Sequence, residues 1–224
     1  MASRRIRTRA VELSLEVTVV AIDSNYEPVT KAAYEYRERH VYPYLTSKGF
    51  RINKFQGTLA RRYYVAPAVR EPGVDYITGV GHGLSDLYTG DQGDVVFRQG
   101  DYHPDEAAGK IVHLLSCQTA RELGPDFVQS GCRAYFGYDV NFTFYPDDQD
   151  IFFECDSEID KAFADGLSAD KVYARVKKLY DKRIAELYAA GKLYVAAALE
   201  TDRDHLRCPS AGGSAWGDPA AKLS

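Results

Sequence analysis

Two residues that can carry out nucleophilic chemistry, His82 and Cys117, each follow directly after a short apolar run. The first run reads Tyr-Ile-Thr-Gly-Val-Gly from position 76 and leads to His82, which has a glycine on either side. The second reads Ile-Val-His-Leu-Leu-Ser from position 111 and leads to Cys117. An imidazole that takes the proton of a neighbouring thiol produces the thiolate, the reactive form of cysteine. The pair therefore predicts a cysteine nucleophile with a histidine base.

The two apolar runs predict buried parallel strands, and these strands would have to position the pair. Buried parallel strands read as continuous hydrophobic runs, and open α/β sheets bind ligands beyond the carboxyl ends of their strands. If the strands are neighbours, His82 and Cys117 emerge at the same edge of the sheet. We expect the N–H groups of Gly83 and Cys117 to point at a developing oxyanion there. We also expect a helix N-terminus close behind Cys117 to lower the pKa of its thiol.

The rest of the hydrophobic pattern predicts an α/β protein: a mostly parallel sheet covered by helices on both faces. We expect one domain over residues 11–224, preceded by a flexible basic tail over residues 1–10 that contains four arginines. The pattern predicts a hairpin within 84–100 and a brief helix that starts at Pro104 and is ended by Gly109. Further strands are predicted over 15–22, 50–56 and 132–140, with an edge strand at 193–199; helices are predicted over 28–48, 58–69 and 125–130, and from Ser168 onward.

Composition and charge exclude several classes of protein. With 224 residues, 45% of them hydrophobic, the chain can bury a core without disulfides. A net charge of −4 gives no reason to expect a nucleic-acid partner. No stretch reaches transmembrane length, and glutamates interrupt any leader, so we expect no membrane partner and a cytoplasmic location. The four cysteines form no CxxC pair, which argues against zinc fingers: Cys117, Cys132, Cys155 and Cys208.

The segments around His82 and Cys117 resemble the two motifs of the caspase-like cysteine peptidases, most closely the CHAT-type and gingipain-like branches. In those branches a hydrophobic strand ends in His-Gly, and a later strand ends in Ser-Cys or Ala-Cys followed by a polar residue and Thr or Ala. Here the motifs read Gly-Val-Gly-His-Gly from position 79 and Leu-Leu-Ser-Cys-Gln-Thr-Ala from position 114. Gly-Asp-Pro at 217–219 is similar to the tripeptide that often closes domains of those branches.

This resemblance implies a caspase-like fold and peptide-bond hydrolysis through a thioester acyl-enzyme, without a cofactor. His82 would be the acid and base, Cys117 the nucleophile, and the N–H groups of Gly83 and Cys117 the oxyanion hole. The substrate would be a polypeptide, and a regulatory protein partner is expected because relatives are often governed by attached or neighbouring domains. The chain lacks the caspase Gln-Ala-Cys-x-Gly signature, and Leu115 replaces the aspartate of the metacaspase Asp-Ser-Cys. The caspase preference for aspartate is therefore not carried over.

A run of carboxylates follows the predicted strand over 132–140, and residues 134–160 contain no Lys or Arg. In related folds this region helps to build the specificity pocket, so a carboxylate there would favour Arg or Lys before the scissile bond. Asp139, at the strand end, is our candidate for this substrate-binding residue. For residues 147–160 a solvated acidic loop is the favoured interpretation. A calcium site is the lesser alternative, because the spacing does not match an EF-hand loop. The aromatic residues Tyr135, Phe136, Phe142, Phe144 and Tyr145 could line a substrate groove, although core packing accounts equally well for the first two.

Other functions and sites compete with this interpretation. The same sheet could serve as a non-catalytic scaffold or partner-binding module. A doubly wound small-molecule binder is disfavoured because Asp-Ser-Asn-Tyr, from position 23, stands where a Gly-rich phosphate loop would follow the first strand. His113 would face the same side as Cys117 and could pair with it on a metal. With no further ligand nearby, a buried structural histidine is the favoured interpretation and no metal is expected.

Overall fold

A six-stranded sheet forms the centre of residues 17–223, which are the residues that the computed structural model describes. Its strands are β1 (Thr18–Asp23), β2 (Arg51–Gln56), β3 (Val74–Val80), β7 (Ile111–Leu115), β8 (Ala134–Tyr138) and β9 (Leu206–Arg207). They are ordered β2-β1-β3-β7-β8-β9, and only the β8–β9 pair is antiparallel. The predicted mostly parallel sheet is therefore confirmed.

A small antiparallel sheet lies in the chain between β3 and β7. It consists of β4 (Gly83–Leu84), β5 (Leu87–Thr89) and β6 (Val95–Arg98), joined in the order β4-β5-β6. Gln92 and Gly93 turn between β5 and β6 with positive φ angles of 51° and 79°, so the predicted hairpin is confirmed. The Tyr88 hydroxyl donates to the carbonyl oxygen of Ile22 over 2.7 Å, which fastens this small sheet to the large one.

Helices cover both faces of the large sheet. Alternation along β1 illustrates this, because Val19 and Ala21 pack into one core and Val20 and Ile22 into the other. The first core receives α1, α2, α5, α6 and α7, whereas the second receives α3 and α4. The helices are α1 (Pro28–His40), α2 (Tyr42–Ser47), α3 (Arg62–Val69), α4 (Leu123–Gln129), α5 (Gln149–Ala164), α6 (Ala169–Ala189), α7 (Leu193–His205) and α8 (Pro209–Gly212).

A buried ionic cluster joins α1 and α5 to the sheet. Asp160 of α5 accepts from Arg37 Nη1 over 3.0 Å, and His113 Nε2 of β7 lies 3.1 Å from Asp156. His113 Nδ1 is 3.3 Å from Asp160, so the imidazole lies between two carboxylates. Burial lowers the pKa of His113, but Asp156 and Asp160 outweigh it and raise this pKa to about 9. The expected buried structural histidine is thus a buried imidazolium held by α5.

Two sequence-based expectations about secondary structure were wrong. Residues 147–160 are not a solvated acidic loop: most of them lie in α5, and Asp156 and Asp160 are completely buried. Their carboxylates are stabilised by cations that are distant in sequence, which local patterning does not reveal. Residues 193–199 are not an edge strand but the first half of α7, and the antiparallel edge strand is β9 immediately after that helix. A short apolar run does not distinguish a strand from a helix.

Other element boundaries differ from the predictions in smaller ways. The long helix over 28–48 is interrupted at Val41 and continues as α2, which has Pro43 in its first turn. Proline lacks the N–H needed inside a helix but is tolerated in a first turn. The brief helix predicted from Pro104 to Gly109 is shorter than expected and is present as a 3-10 turn over Pro104–Glu106. The first strand begins at Thr18. The start predicted at residue 15 and the basic tail over 1–10 lie outside the described residues.

Candidate active site

His82 and Cys117 follow two strands that are adjacent and parallel. Val80 of β3 is in register with Leu115 of β7, and the Gly81 N–H donates to the Leu115 carbonyl oxygen over 3.2 Å. His82 and Cys117 then line a single cleft at the carboxyl edge of the sheet. The structure therefore brings together the two residues that the sequence singled out, by the strand arrangement that their apolar runs predicted.

Glu27 is a third member of this site that sequence reasoning missed. Its Oε1 lies 3.3 Å from Nε2 of His82. The same carboxylate caps α1, accepting the Val29 N–H on Oε2 over 2.8 Å and the Thr30 N–H on Oε1 over 2.7 Å. Burial raises the pKa of Glu27, but these helix hydrogen bonds outweigh it, so the pKa is lowered and the carboxylate stays charged. An acidic residue directly before Pro28 was the available sequence signal for a helix cap.

The surroundings of Cys117 keep its thiol protonated. Burial raises the pKa of Cys117, a hydrogen bond from the backbone of Phe142 opposes this, and the nearby Asp202 adds to it. The expected lowering of this pKa by a helix N-terminus was wrong. The next helix, α4, begins only at Leu123, and helix-dipole effects fade beyond the first turn. Cys117 therefore needs a base to become a nucleophile.

A sharp turn carries the chain away from Cys117. Gln118 has φ of +60°, in the left-handed region that residues with a side chain rarely occupy. Its N–H donates to Val140 over 2.9 Å, and its side-chain amide donates to Asn141 over 2.8 Å. These bonds tie the turn to the segment after β8. They place Phe142, whose backbone contacts the sulfur, at the same cleft.

Gly83 packs against the backbone of this turn. A Cβ atom at Gly83 would come within 2.5 Å of the Cys117 carbonyl oxygen, so only glycine permits this approach. The Thr89 N–H donates to the His82 carbonyl, which makes Gly83 and Tyr88 a non-hydrogen-bonded pair and leaves the Gly83 N–H out of the ladder. Among the described residues, no acceptor takes the Cys117 N–H. Gly83 and Cys117 therefore each keep a backbone N–H that these hydrogen bonds do not use.

The cleft beside the sulfur is narrow and mostly apolar. Its open space is about 360 Å³ when the solvent-filled mouth is included. Phe142 and Phe144 lie in its wall, as the sequence suggested. Tyr145 is not among the lining residues, and Tyr135 and Phe136 are buried in the two cores. The principal apolar wall residues are Val29, Ala33, Leu115, Phe142, Phe144 and Phe153.

Asp139, the predicted substrate-binding carboxylate, contacts Arg207 and His205. Its Oδ2 accepts from Nε of Arg207 over 2.7 Å, and its Oδ1 lies 2.7 Å from Nδ1 of His205. These contacts connect the end of β8 to β9 and α7. Asp139 is not among the residues that line the cleft. The preference for Arg or Lys stays a prediction, without support from the position of this carboxylate.

The Gly-Asp-Pro segment secures the C-terminal part of the chain to the sheet. The Asp218 N–H donates to Arg133 over 2.8 Å, and Gly217, at φ +110°, lies so close that a Cβ would come within 2.3 Å of the Arg133 carbonyl oxygen. The indole N–H of Trp216 donates to the carbonyl oxygen of Ala120 over 2.9 Å, just after the Cys117 turn. The segment thus supports that turn from behind.

The remaining cysteines are away from the cleft. Cys132, Cys155 and Cys208 are buried, and none of the four cysteines forms a disulfide. Burial raises the pKa of Cys132 to about 12 and also raises that of Cys155. Across residues 17–223, no group of three or more His, Cys, Asp or Glu side chains is arranged to hold a metal ion.

Comparisons with known proteins leave the chain without an assigned family. No family model matches it, and a search of curated proteins finds no similar sequence. Within the described part of the chain, no helix is both long and apolar enough to cross a membrane. Function must therefore be argued from the site itself.

Proposed function

We propose that the chain is a caspase-like cysteine peptidase that hydrolyses peptide bonds with Cys117 as nucleophile and His82 as acid and base. The observation that carries the proposal is the juxtaposition at the sheet edge: both residues line one cleft, and Glu27 lies behind the imidazole. A nucleophile, a base and a group that orients the base form the usual arrangement of covalent catalysis. The motif resemblance assigns His82 and Cys117 the same roles.

The first half of the reaction forms the acyl-enzyme. His82 takes the proton from the Cys117 thiol as the sulfur attacks the scissile carbonyl carbon, and Glu27 stabilises the imidazolium that results. The carbonyl oxygen becomes an oxyanion that accepts hydrogen bonds from the Gly83 and Cys117 N–H groups. The carbon–nitrogen bond then breaks, and His82 gives its proton to the departing amine. A thioester on Cys117 remains.

The second half releases the acid product. His82 takes a proton from a water molecule, whose oxygen attacks the thioester carbonyl, and the same N–H groups stabilise the second oxyanion. The carbon–sulfur bond breaks, the thiolate regains the proton from His82, and the carboxylic acid leaves. The half-exposed imidazole is open to this water. The protein's own groups suffice for every step, so no cofactor enters the proposal.

The architecture of the sheet is compatible with a caspase-like fold. Five parallel strands with one antiparallel edge strand, covered by helices on both faces, are compatible with the fold that the motifs imply. The catalytic candidates lie beyond the carboxyl ends of central strands, where open α/β sheets hold their ligands. A polypeptide substrate and a regulatory protein partner belong to this proposal.

The decisive experiment combines turnover with labelling of the sulfur. A panel of fluorogenic peptides is assayed with the wild type, Cys117→Ala and His82→Ala, and turnover should disappear in both variants. In parallel, intact-mass analysis after native treatment with a thiol-directed peptide inhibitor should give one adduct in the wild type. Cys117→Ala should give none, because the other three cysteines are buried.

A negative result would also be informative. If no peptide is cleaved and Cys117 does not react with any inhibitor, the peptidase proposal fails. The non-catalytic scaffold or partner-binding module then becomes the better interpretation. Labelling of Cys117 without turnover would keep the nucleophile and indicate that a regulatory partner is needed.

A further inference from the structure

The cleft beside Cys117 has the shape and chemistry of a pocket for one side chain. Its walls come from five separate parts of the chain: Val29 on α1, Val80 on β3, Leu115 on β7, Phe142 and Phe144 after β8, and Phe153 on α5. Cys117 itself forms part of the wall, so a peptide whose carbonyl carbon meets the sulfur has a neighbouring side chain at the mouth. The open volume of about 360 Å³, counted with the mouth, suits a single side chain better than a folded segment.

The cleft offers no counter-charge to a cation. Its only titratable lining residues are His82 and Cys117. Glu27 is already engaged by the first turn of α1 and by the imidazole, and Asp139 by Arg207. Burying an ammonium or guanidinium without a paired charge is costly, so this wall disfavours lysine and arginine side chains.

Asp202 is the remaining carboxylate near the sulfur, and it does not substitute for a free counter-charge. It is completely buried, does not line the cleft, and accepts the Thr143 N–H on Oδ1 over 3.3 Å. Burial raises the pKa of Asp202 well above its usual value, which favours its neutral form. Because Asp202 lies outside the lining of the cleft, a cation in the cleft does not contact it.

Two neutral hydroxyls are the exceptions in the wall, those of Thr30 and Ser116. The Ser116 hydroxyl is paired with that of Thr119 over 2.9 Å, whereas the buried Thr30 Oγ1 has no hydrogen-bond partner among the described residues. A hydroxyl accepts at most two hydrogen bonds and supplies no charge, whereas a guanidinium carries five N–H donors and an ammonium three. A cation inserted here would keep unsatisfied donors and an unpaired charge, which an apolar side chain avoids.

We propose that this cleft receives the side chain of the residue whose carbonyl carbon Cys117 attacks, and that it selects an uncharged apolar side chain of about leucine size. The inference rests on the proposed peptidase function and names its substrate class. It replaces the basic preference that the acidic segment suggested. An apolar side chain binds favourably here because it moves from water to a wall that includes Leu115, Phe142 and Phe144.

The test varies only the residue before the scissile bond. Peptides with Leu, Met, Phe, Arg, Lys or Asp at that position are compared by kcat/KM, and matched chloromethyl ketones with Leu or Arg are compared by the rate of Cys117 labelling. We expect Leu or Met to exceed Arg and Lys by about tenfold or more in both measurements. A preference for Arg, Lys or Asp would overturn this inference and leave the peptidase proposal intact. No turnover and no labelling would defeat both.

A pair of variants then tests the pocket itself. Val29 is 51% exposed in the first turn of α1, where a carboxylate is compatible with the helix dipole, so Val29→Asp should fold. Val29→Asn is the uncharged control of the same shape. We expect the Lys-to-Leu ratio of kcat/KM to rise about tenfold in Val29→Asp relative to Val29→Asn. An equal ratio in both variants would show that the side chain binds elsewhere and would overturn the assignment.

Discussion

Oε1 of Glu27 lies 3.3 Å from Nε2 of His82 while the same carboxylate caps the helix that begins at Pro28. The first turn of α1 thus holds a charged group behind the imidazole. Because the N–H groups of Val29 and Thr30 fix the carboxylate, its position is set by the backbone and not by a freely rotating side chain. One residue therefore both contacts the imidazole and caps the helix.

Substitution of Glu27 should separate these two roles. Serine is a good helix cap but is too short to reach the imidazole, so Glu27→Ser should preserve the melting temperature. We expect kcat/KM to fall about tenfold, because an oriented acid and base contributes ~100-fold or more to catalysis. Peptide turnover and thermal unfolding measure the two effects, with Glu35→Gln on the exposed face of α1 as the control. Unchanged turnover in Glu27→Ser would remove Glu27 from the site.

Gly83→Ala should damage the site more than the fold. The added Cβ would lie within 2.5 Å of the Cys117 carbonyl oxygen and 2.6 Å of Thr119 Cγ2, which forces the turn to move. A displacement of about 1 Å can cost ~100-fold in rate. Gly93→Ala is the matched control. Gly93 has a φ angle of +79°, so alanine is strained there too, but the added Cβ would meet open space. Gly93→Ala should lose stability and keep kcat/KM. Equal activity in both variants would contradict the role of Gly83.

Alkylation of Cys117 should follow the raised pKa of its thiol. The thiolate is the form that reacts, and burial disfavours it, so iodoacetamide should modify Cys117 more slowly at pH 7 than it modifies free cysteine. The rate should rise with pH and level off only above the pH at which free cysteine does. Intact-mass analysis of the wild type and Cys117→Ser at several pH values measures this. Rapid modification at pH 6 would indicate a thiolate already paired with the imidazolium.

The His113 cluster should make stability depend on pH in a defined direction. Because the pKa of His113 is raised from 6.5 to about 9 on folding, its contribution is complete below about pH 6.5 and is lost as pH rises through 9. The contribution of Asp160 to stability depends on pH in the opposite direction. Burial raises the pKa of Asp160, but Arg37 and His113 outweigh burial, so the pKa is lowered on folding. Its contribution is therefore present above about pH 3.8 and is lost as pH falls.

His113→Gln should therefore remove the loss of stability at alkaline pH. It should also cost about 3–5 kcal/mol, because Asp156 is left buried without its cation and Asp160 keeps only Arg37. Urea unfolding from pH 5 to 10 measures both effects. His40→Gln, at the exposed end of α1, is the control and should behave like the wild type. A parallel pH profile in His113→Gln and the wild type would refute the cluster's role.

Asp139→Asn should affect the sheet edge and not substrate choice. The carboxylate binds Arg207 of β9 and His205 of α7, so its loss should lower the melting temperature by a few degrees. The ratio of kcat/KM for Leu and Arg peptides should not change. A selective loss of activity on Arg peptides would instead restore Asp139 as a specificity residue.

Much of the site was predictable because its two principal residues end continuous apolar runs. Burial on both faces requires that pattern in a central parallel strand, and the adjacent pairing of β3 and β7 brings the run ends together. Glu27 escaped prediction because its distance from His82 depends on how α1 lies over the sheet. A helix-cap signal before Pro28 is local, whereas its contact with an imidazole more than fifty positions later is not.

The sequence by itself determined the class of the fold and the two strands that lead to His82 and Cys117. Hydrophobic periodicity and residue type specify these features locally. Only the tertiary structure decided that the acidic segment is a buried helix, since Asp156 and Asp160 are stable there through Arg37 and His113. It also decided that the cleft is apolar, because its wall is assembled from α1, β3, β7, α5 and the segment after β8, which meet only when the chain is folded.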